Sequence, residues 1–153
     1  MRDILFRGKT PRQDEHFDDG EWVEGFYTRF NEKEHRIYSG YAETDCGDYY
    51  PDWYNVRPET VGQYTGLTDK NGKKVFEGDI VKCTDTTYYY SLTTVVIFGN
   101  PNGEYNWGFQ LKRISGASAN TDILLWFDME DVGACAEVVG NIHDNPELLK
   151  GGE

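Results

Sequence analysis

Phe76-Glu77-Gly78-Asp79-Ile80-Val81-Lys82-Cys83 is the stretch on which the reading of the fold turns. Gly78 supplies backbone freedom for a tight turn, and the short Asp79 carboxylate can accept local backbone N–H groups. The apolar pair Ile80-Val81 follows at once, so the chain passes from the turn directly into a strand. A Gly-Asp turn feeding an apolar strand in this way opens small β-barrels.

Downstream, Thr94-Val95-Val96-Ile97-Phe98 and Tyr105-Asn106-Trp107-Gly108-Phe109-Gln110-Leu111 flank the turn residues Asn100-Pro101-Asn102-Gly103 and read as a hairpin. Residues 115–121 are small and polar and form a connection. Ile123-Leu124-Leu125-Trp126-Phe127 reads as a short buried strand by length and composition, and Glu137-Val138-Val139-Gly140-Asn141-Ile142 as the last strand. Asn145 is placed to cap a final helical turn, with Pro146 at its first position. Upstream, Val61 to Thr65 and Lys74 to Phe76 are strands around a turn at Asp69-Lys70-Asn71-Gly72.

The first third repeats the pattern. Ile4 to Arg7, Trp22 to Phe30 and Arg36 to Tyr41 alternate in the strand manner, broken by turns at Asp19-Gly20 and Asn31-Glu32-Lys33-Glu34, which makes an antiparallel meander. Asp14 to Gly20 is a polar loop, and residues 42–58 read as an ordered connection without regular structure. The expectation is a mainly β protein with a short C-terminal helical turn. It divides into a β-meander with an aromatic connecting loop over 1–58 and a small SH3-like barrel region over 59–153.

Composition narrows the function. In 153 residues the chain carries 11 Tyr, 8 Phe and 4 Trp, enough ring area to build a core from an apolar fraction of only 38%. Net charge is −12, distributed as −5 over residues 1–57, 0 over 58–115 and −7 over 116–153. Such a surface repels phosphate backbones and anionic membranes, so general nucleic-acid or membrane binding is disfavoured, whereas a basic partner or a homo-oligomer fits. Cys46, Cys83 and Cys135 are odd in number and never paired as Cys-x-x-Cys, which points to reduced thiols in a cytoplasm. The start of the chain lacks the apolar stretch of a signal peptide, and no apolar run reaches the ~20 residues of a membrane span.

No stretch carries a catalytic signature. Gly66 to Lys74 has five residues between Gly66 and Gly72 and a second lysine where a phosphate loop needs Ser or Thr, so it reads as a turn. Asp69-x-Asn71-Gly72 lacks the further oxygen ligands of a calcium loop. Glu77 and Asp79 bracket Gly78 as a strand-entry turn, with nothing to push their pKa values apart. His16 and His35 sit in polar loops, and His143 lies next to Asp144 without a matched nucleophile. No metal, cofactor or catalytic residue is therefore expected. The distinctive surface candidates are aromatic. Tyr88-Tyr89-Tyr90 on a strand must face both ways, and Trp53 and Tyr54, with Tyr49 and Tyr50, crowd the connecting loop; each is either strand packing or a partner contact. Stacking of a single strand near Lys70, Lys73, Lys74 and Lys82 is opposed by the overall charge.

Gln63-Tyr64-Thr65-Gly66-Leu67-Thr68-Asp69-Lys70-Asn71-Gly72-Lys73-Lys74-Val75-Phe76-Glu77-Gly78-Asp79-Ile80-Val81-Lys82 closely resembles the YopX family, whose members are small proteins of bacteriophages and prophages. The opening Met1 to Arg7 and the close Glu137 to Leu149 are similar to that family's ends. The resemblance implies a mainly β fold with an SH3-like part, a tendency to oligomerise and no catalytic residues. Gly66, Asn71, Gly72, Gly78 and Asp79 are then turn determinants. Residues 42–56 and 84–93 are the segments most individual to this chain. The function expected is that of a phage accessory protein acting by protein–protein contact with a host or phage protein, as a homo-oligomer. The alternatives are an acidic nucleic-acid mimic, motivated by residues 116–153, and a nucleic-acid-binding barrel.

Overall fold

The computed structural model describes residues 4–11, 20–103, 107–127 and 134–150. The chain forms two compact units, Met1–Tyr64 and Thr65–Glu153, with the boundary inside one strand. The polar loop expected before Gly20, with His16, lies outside the described residues.

In the first unit, β1 (Phe6–Lys9), β2 (Trp22–Arg29), β3 (His35–Glu43) and β4 (Tyr49–Asn55) form the antiparallel meander in the order β4-β3-β2-β1. The start of β5 (Gly62–Thr68) pairs with β1 through Gln63 opposite Phe6 and Gly62 opposite Arg7. Ile37 and Val56 are buried, with Phe6 and Tyr27 in ring contact at 5.5 Å. A 3-10 turn at Pro58–Thr60 is tied back to β1, where Lys9 N–H donates to Thr60 Oγ1 at 2.8 Å. Gly25 permits the closest approach. A Cβ there would meet the Tyr38 carbonyl oxygen at 2.0 Å, and its φ of +159° is tolerated by glycine.

β4 corrects the reading of 42–58 as irregular. Tyr49, Tyr50, Trp53 and Tyr54 are good strand residues, and Pro51 is admissible because β4 ends the sheet order, where a missing N–H breaks no ladder bond. The hairpin before it closes through Thr44, whose N–H donates to Asp48 O at 2.8 Å and whose Oγ1 accepts Asp48 N–H at 3.1 Å.

In the second unit, the later half of β5 neighbours β6 (Lys74–Phe76), with Thr65 Oγ1 donating to Val75 O at 2.8 Å. β7 (Asp79–Asp85), β8 (Tyr90–Gly99), β9 (Gly108–Gly116) and β10 (Ala134–Asn141) form an open antiparallel sheet in the order β10-β7-β8-β9. Its core is Val75, Val81, Cys83, Leu92, Val96, Leu111, Ile123, Trp126, Ala136 and Val138.

The described strands do not close into a barrel. The expected strand at 123–127 is instead the helix α1 (Ile123–Phe127), which puts Ile123 and Trp126 into the core and packs on β9 and β10. A five-residue apolar run has no period that separates strand from helix. Here Asp122 decides it, because Asp122 Oδ1 accepts Leu124 N–H at 3.0 Å as a helix cap does. At the other end, a 3-10 turn spans Pro146–Leu149, but Asn145 does not cap it with its side chain. Asn145 Oδ1 accepts Asn141 N–H at 3.2 Å instead, tying the turn to β10.

Candidate functional site

Three rings stand in one cross-strand row on the first unit's sheet. Phe26 of β2 lies opposite Tyr38 of β3, and Tyr38 lies opposite Trp53 of β4. Directly opposed residues share a face, and side chains alternate along a strand. Along β4 that alternation sets Tyr49 and Pro51 on the Trp53 side, with Tyr50, Asp52 and Tyr54 on the other. The bulge between Tyr38 and Gly40 shifts β3 by one residue, so Tyr41 comes opposite Pro51 and joins the ring face. Phe26, Tyr41 and Tyr49 are 70%, 76% and 71% exposed, and Phe30 and Trp53 are exposed as well. Five rings of one face are thus left to water on a small sheet.

The face also binds cations of its own chain. The Arg36 guanidinium is sandwiched between Phe30, 3.7 Å from its centroid, and Trp53, at 3.9 Å. Arg36 Nε is buried with no hydrogen-bond partner among the described residues, while its Nη2 pairs with Glu34 Oε1 at 3.7 Å. Arg7 and Lys9 lie over the Trp22 ring at 4.6 and 5.6 Å. Ring faces carry negative quadrupole density, so stacked guanidinium is favourable where the rings exclude water.

Of the aromatic candidates, Trp53 is on this face and Tyr54 is not. Tyr54 OH donates towards Asp52 Oδ2 at 3.5 Å on the other side. The structure corrects the Tyr88-Tyr89-Tyr90 strand. Asp85 Oδ1 accepts the N–H groups of Thr87 and Tyr88, at 2.8 and 3.0 Å, which ends β7 in a turn. Tyr88 and Tyr89 sit at the tip of that turn, Tyr89 with φ +56° and 91% exposed, while Tyr90 begins β8 and meets Trp126 edge-on at 6.3 Å.

The glycine-rich motif supplies two turns in the second unit, at Gly72 and Gly78, with φ values of +79° and +89°. Gly66, expected as a turn residue, instead lies inside β5, where its φ of +88° needs the freedom of glycine without reversing the chain. Gly78 N–H donates to Val96 O and Gly78 O accepts Ile142 N–H, both at 2.9 Å, so this left-handed glycine joins β8 to the end of β10. Asp79 is buried, and its Oδ2 accepts Phe76 N–H at 2.8 Å. Asp69, missed as a structural centre in the sequence, accepts from Asn71 and Lys73 at Oδ1 and from Val138 at Oδ2, at 2.8, 2.9 and 2.9 Å. Burial pushes its carboxyl up, but the N–H groups of Val138, Lys73 and Asn71 and the charge of Lys73 outweigh that and hold it below the usual range. The signal for it was the Asp-x-Asn-Gly spacing.

A cavity of about 310 Å³ in the second unit is lined by Lys70, Trp126 and Cys135 among others. Lys70 Nζ pairs with Glu137 at 3.2 Å, and that carboxylate, with Cys135 beside it, raises the lysine pKa. Desolvation pushes the Cys83 thiol up to about 12, so it is protonated at neutral pH. Burial likewise raises Glu77. Among the described residues no group of three or more His, Cys, Asp or Glu is arranged to hold a metal, and no helix is long and apolar enough to cross a membrane. Half of the carboxylates of 116–153, namely Asp128, Glu130, Asp131 and Glu153, lie outside the described residues.

The family model described as YopX protein matches residues 6–150, nearly the whole chain. The protein belongs to the YopX family. The match runs through the Asp69 and Gly78 turns of this YopX chain and through the ring-bearing meander alike. No curated protein matches the chain.

Proposed function

We propose that this YopX-family chain is a phage- or prophage-encoded accessory protein of the bacterial cytoplasm that works by protein–protein contact, as a homo-oligomer and without a catalytic step of its own. The observation that carries the reading is the exposed ring face of β2, β3 and β4, centred on the Phe26–Tyr38–Trp53 row. Aromatic side chains give up little rotamer freedom on docking and dominate contact energies, so rings held in register by a sheet form a pre-organised docking surface. In this reading the ring face takes the partner. Self-association uses β9, which ends the second unit's sheet order; Phe98 of the neighbouring β8 meets Trp107, just ahead of β9, and Phe109 of β9 in edge-to-face contact at 6.4 and 5.1 Å. An edge strand with exposed rings can pair with its own copy about a two-fold axis.

Light scattering of the wild-type chain beside Trp107→Ser tests the oligomer. A multiple of the 17.6 kDa chain mass that falls in the variant supports it. A single-chain mass at every concentration sinks it. The partner surface is tested separately with Tyr41→Ser/Tyr49→Ser, which should leave the mass unchanged while abolishing retention of a binding protein.

A further inference from the structure

Resting on the reading of the ring face as a protein-contact surface, we infer that its occupant is a cationic segment of a partner protein, an arginine- or lysine-bearing peptide whose side chains stack on Phe26, Tyr41 and Tyr49. Two observations converge on this. The first is the chemistry the face already performs: Phe30 and Trp53 hold the Arg36 guanidinium at 3.7 and 3.9 Å without a hydrogen bond to its Nε. The neighbouring rings of Phe26, Tyr41 and Tyr49 present the same π-surface with no cation stacked on them among the described residues, and they are the most exposed rings of the sheet. The second is charge. Residues 20–56, which make the face and its hairpins, hold eight carboxylates against Arg29, Lys33 and Arg36.

Those carboxylates are placed to matter. Glu43 lies opposite Tyr49 on the ring face, and Asp45 and Asp48 sit in the adjoining hairpin loop. A guanidinium or ammonium group stacked on Tyr49 therefore lies beside carboxylates that screen its charge and steer its approach. A second copy of this chain would bring the same acidic rim against itself across an isologous contact, which like-charge repulsion opposes. Nucleic acid would bring phosphates to the same rim.

The test uses the full chain and three short synthetic peptides of one length: arginine-glycine, the same with citrulline in place of arginine, and glutamate-glycine. Binding is read by titration calorimetry at low and at physiological salt. The arginine peptide should bind, weakening as salt rises, and should bind about tenfold more tightly than the citrulline peptide, because citrulline keeps the shape and removes the charge. Tyr41→Ser/Tyr49→Ser should lower that affinity by about tenfold, and Glu43→Gln/Asp45→Asn/Asp48→Asn should remove most of the salt dependence. All these positions are exposed, so circular dichroism should be unchanged.

Equal affinity for arginine and citrulline peptides overturns the cationic occupant. So does binding of single-stranded oligonucleotide, or an oligomer mass that falls in the tyrosine variant with no peptide bound. Ring-dependent binding of a neutral partner or a second copy would leave the ring face a contact surface and defeat only this inference. No effect of the tyrosine substitutions on mass, peptide binding or protein retention defeats the contact surface itself.

Discussion

The two units put their apolar side chains to different uses. The second unit buries Val75, Val81, Leu92, Val96 and Leu111 against α1 and turns its motif residues inward as hydrogen-bond acceptors. The first buries few large residues, chiefly Ile37 and Val56, while Phe26, Phe30, Tyr41, Tyr49 and Trp53 face outward. One sheet thus buries its apolar area, and the other leaves it in water. A ring in a core lowers the free energy of folding, whereas a ring in water keeps its burial energy for a partner.

Four substitutions break or sharpen that contrast. Leu111→Ala, at a fully buried position of the second core, should cost about 2–5 kcal/mol in urea unfolding. A loss below about 1 kcal/mol would mean that the second unit is not the stability core. Gly25→Ala, which sets a methyl against the Tyr38 carbonyl, should cost about 1–3 kcal/mol and loosen the ring row by parting β2 from β3. Peptide or partner binding falling with it would show that the row needs its register.

Asp69→Asn should cost about 1–2 kcal/mol, since an amide NH2 cannot accept the Val138 N–H. The pH dependence has a definite sign. The folded pKa of Asp69 is lowered, so its contribution is full above the ordinary carboxylate value of 3.8 and is lost as pH falls through the folded value. The acid limb of the stability curve should therefore flatten in Asp69→Asn. Glu77 works in the opposite sense. Its folded pKa is raised, so its contribution is present below the unfolded value and is lost as pH rises. Smallest of all, Tyr41→Ser should change stability by no more than about 0.5 kcal/mol, because its ring is already in water. Thiol titration gives an independent check on burial: Cys46 should react promptly in the native state and Cys83 only on unfolding.

The meander was legible because Trp22 to Phe30 and Arg36 to Tyr41 alternate between clear turns, and turns are local. The Gly78-Asp79 turn was legible for the same reason, and so was the Asp69 turn, though not its third bond to Val138. β4 was hidden by Pro51, which only an edge position excuses. The helix at 123–127 was hidden by a run too short to show a period, and Asp122, whose cap decides it, looks in sequence like any polar loop residue. The tyrosine run has the propensity of a strand, but the Asp85 side chain closes a turn ahead of it, and only Tyr90 enters β8.

By itself the sequence determined the strand-rich character, the turns, the acidic charge and the motif that carries the family resemblance, all of which depend on neighbours a few residues apart. Only the tertiary structure decided which rings share a face. Phe26, Tyr38 and Trp53 come into one row through pairing registers, and Tyr41 and Tyr49 join them through a one-residue bulge. A shift of one residue moves every side chain to the opposite side of a sheet, so the candidate surface exists only once the register is set.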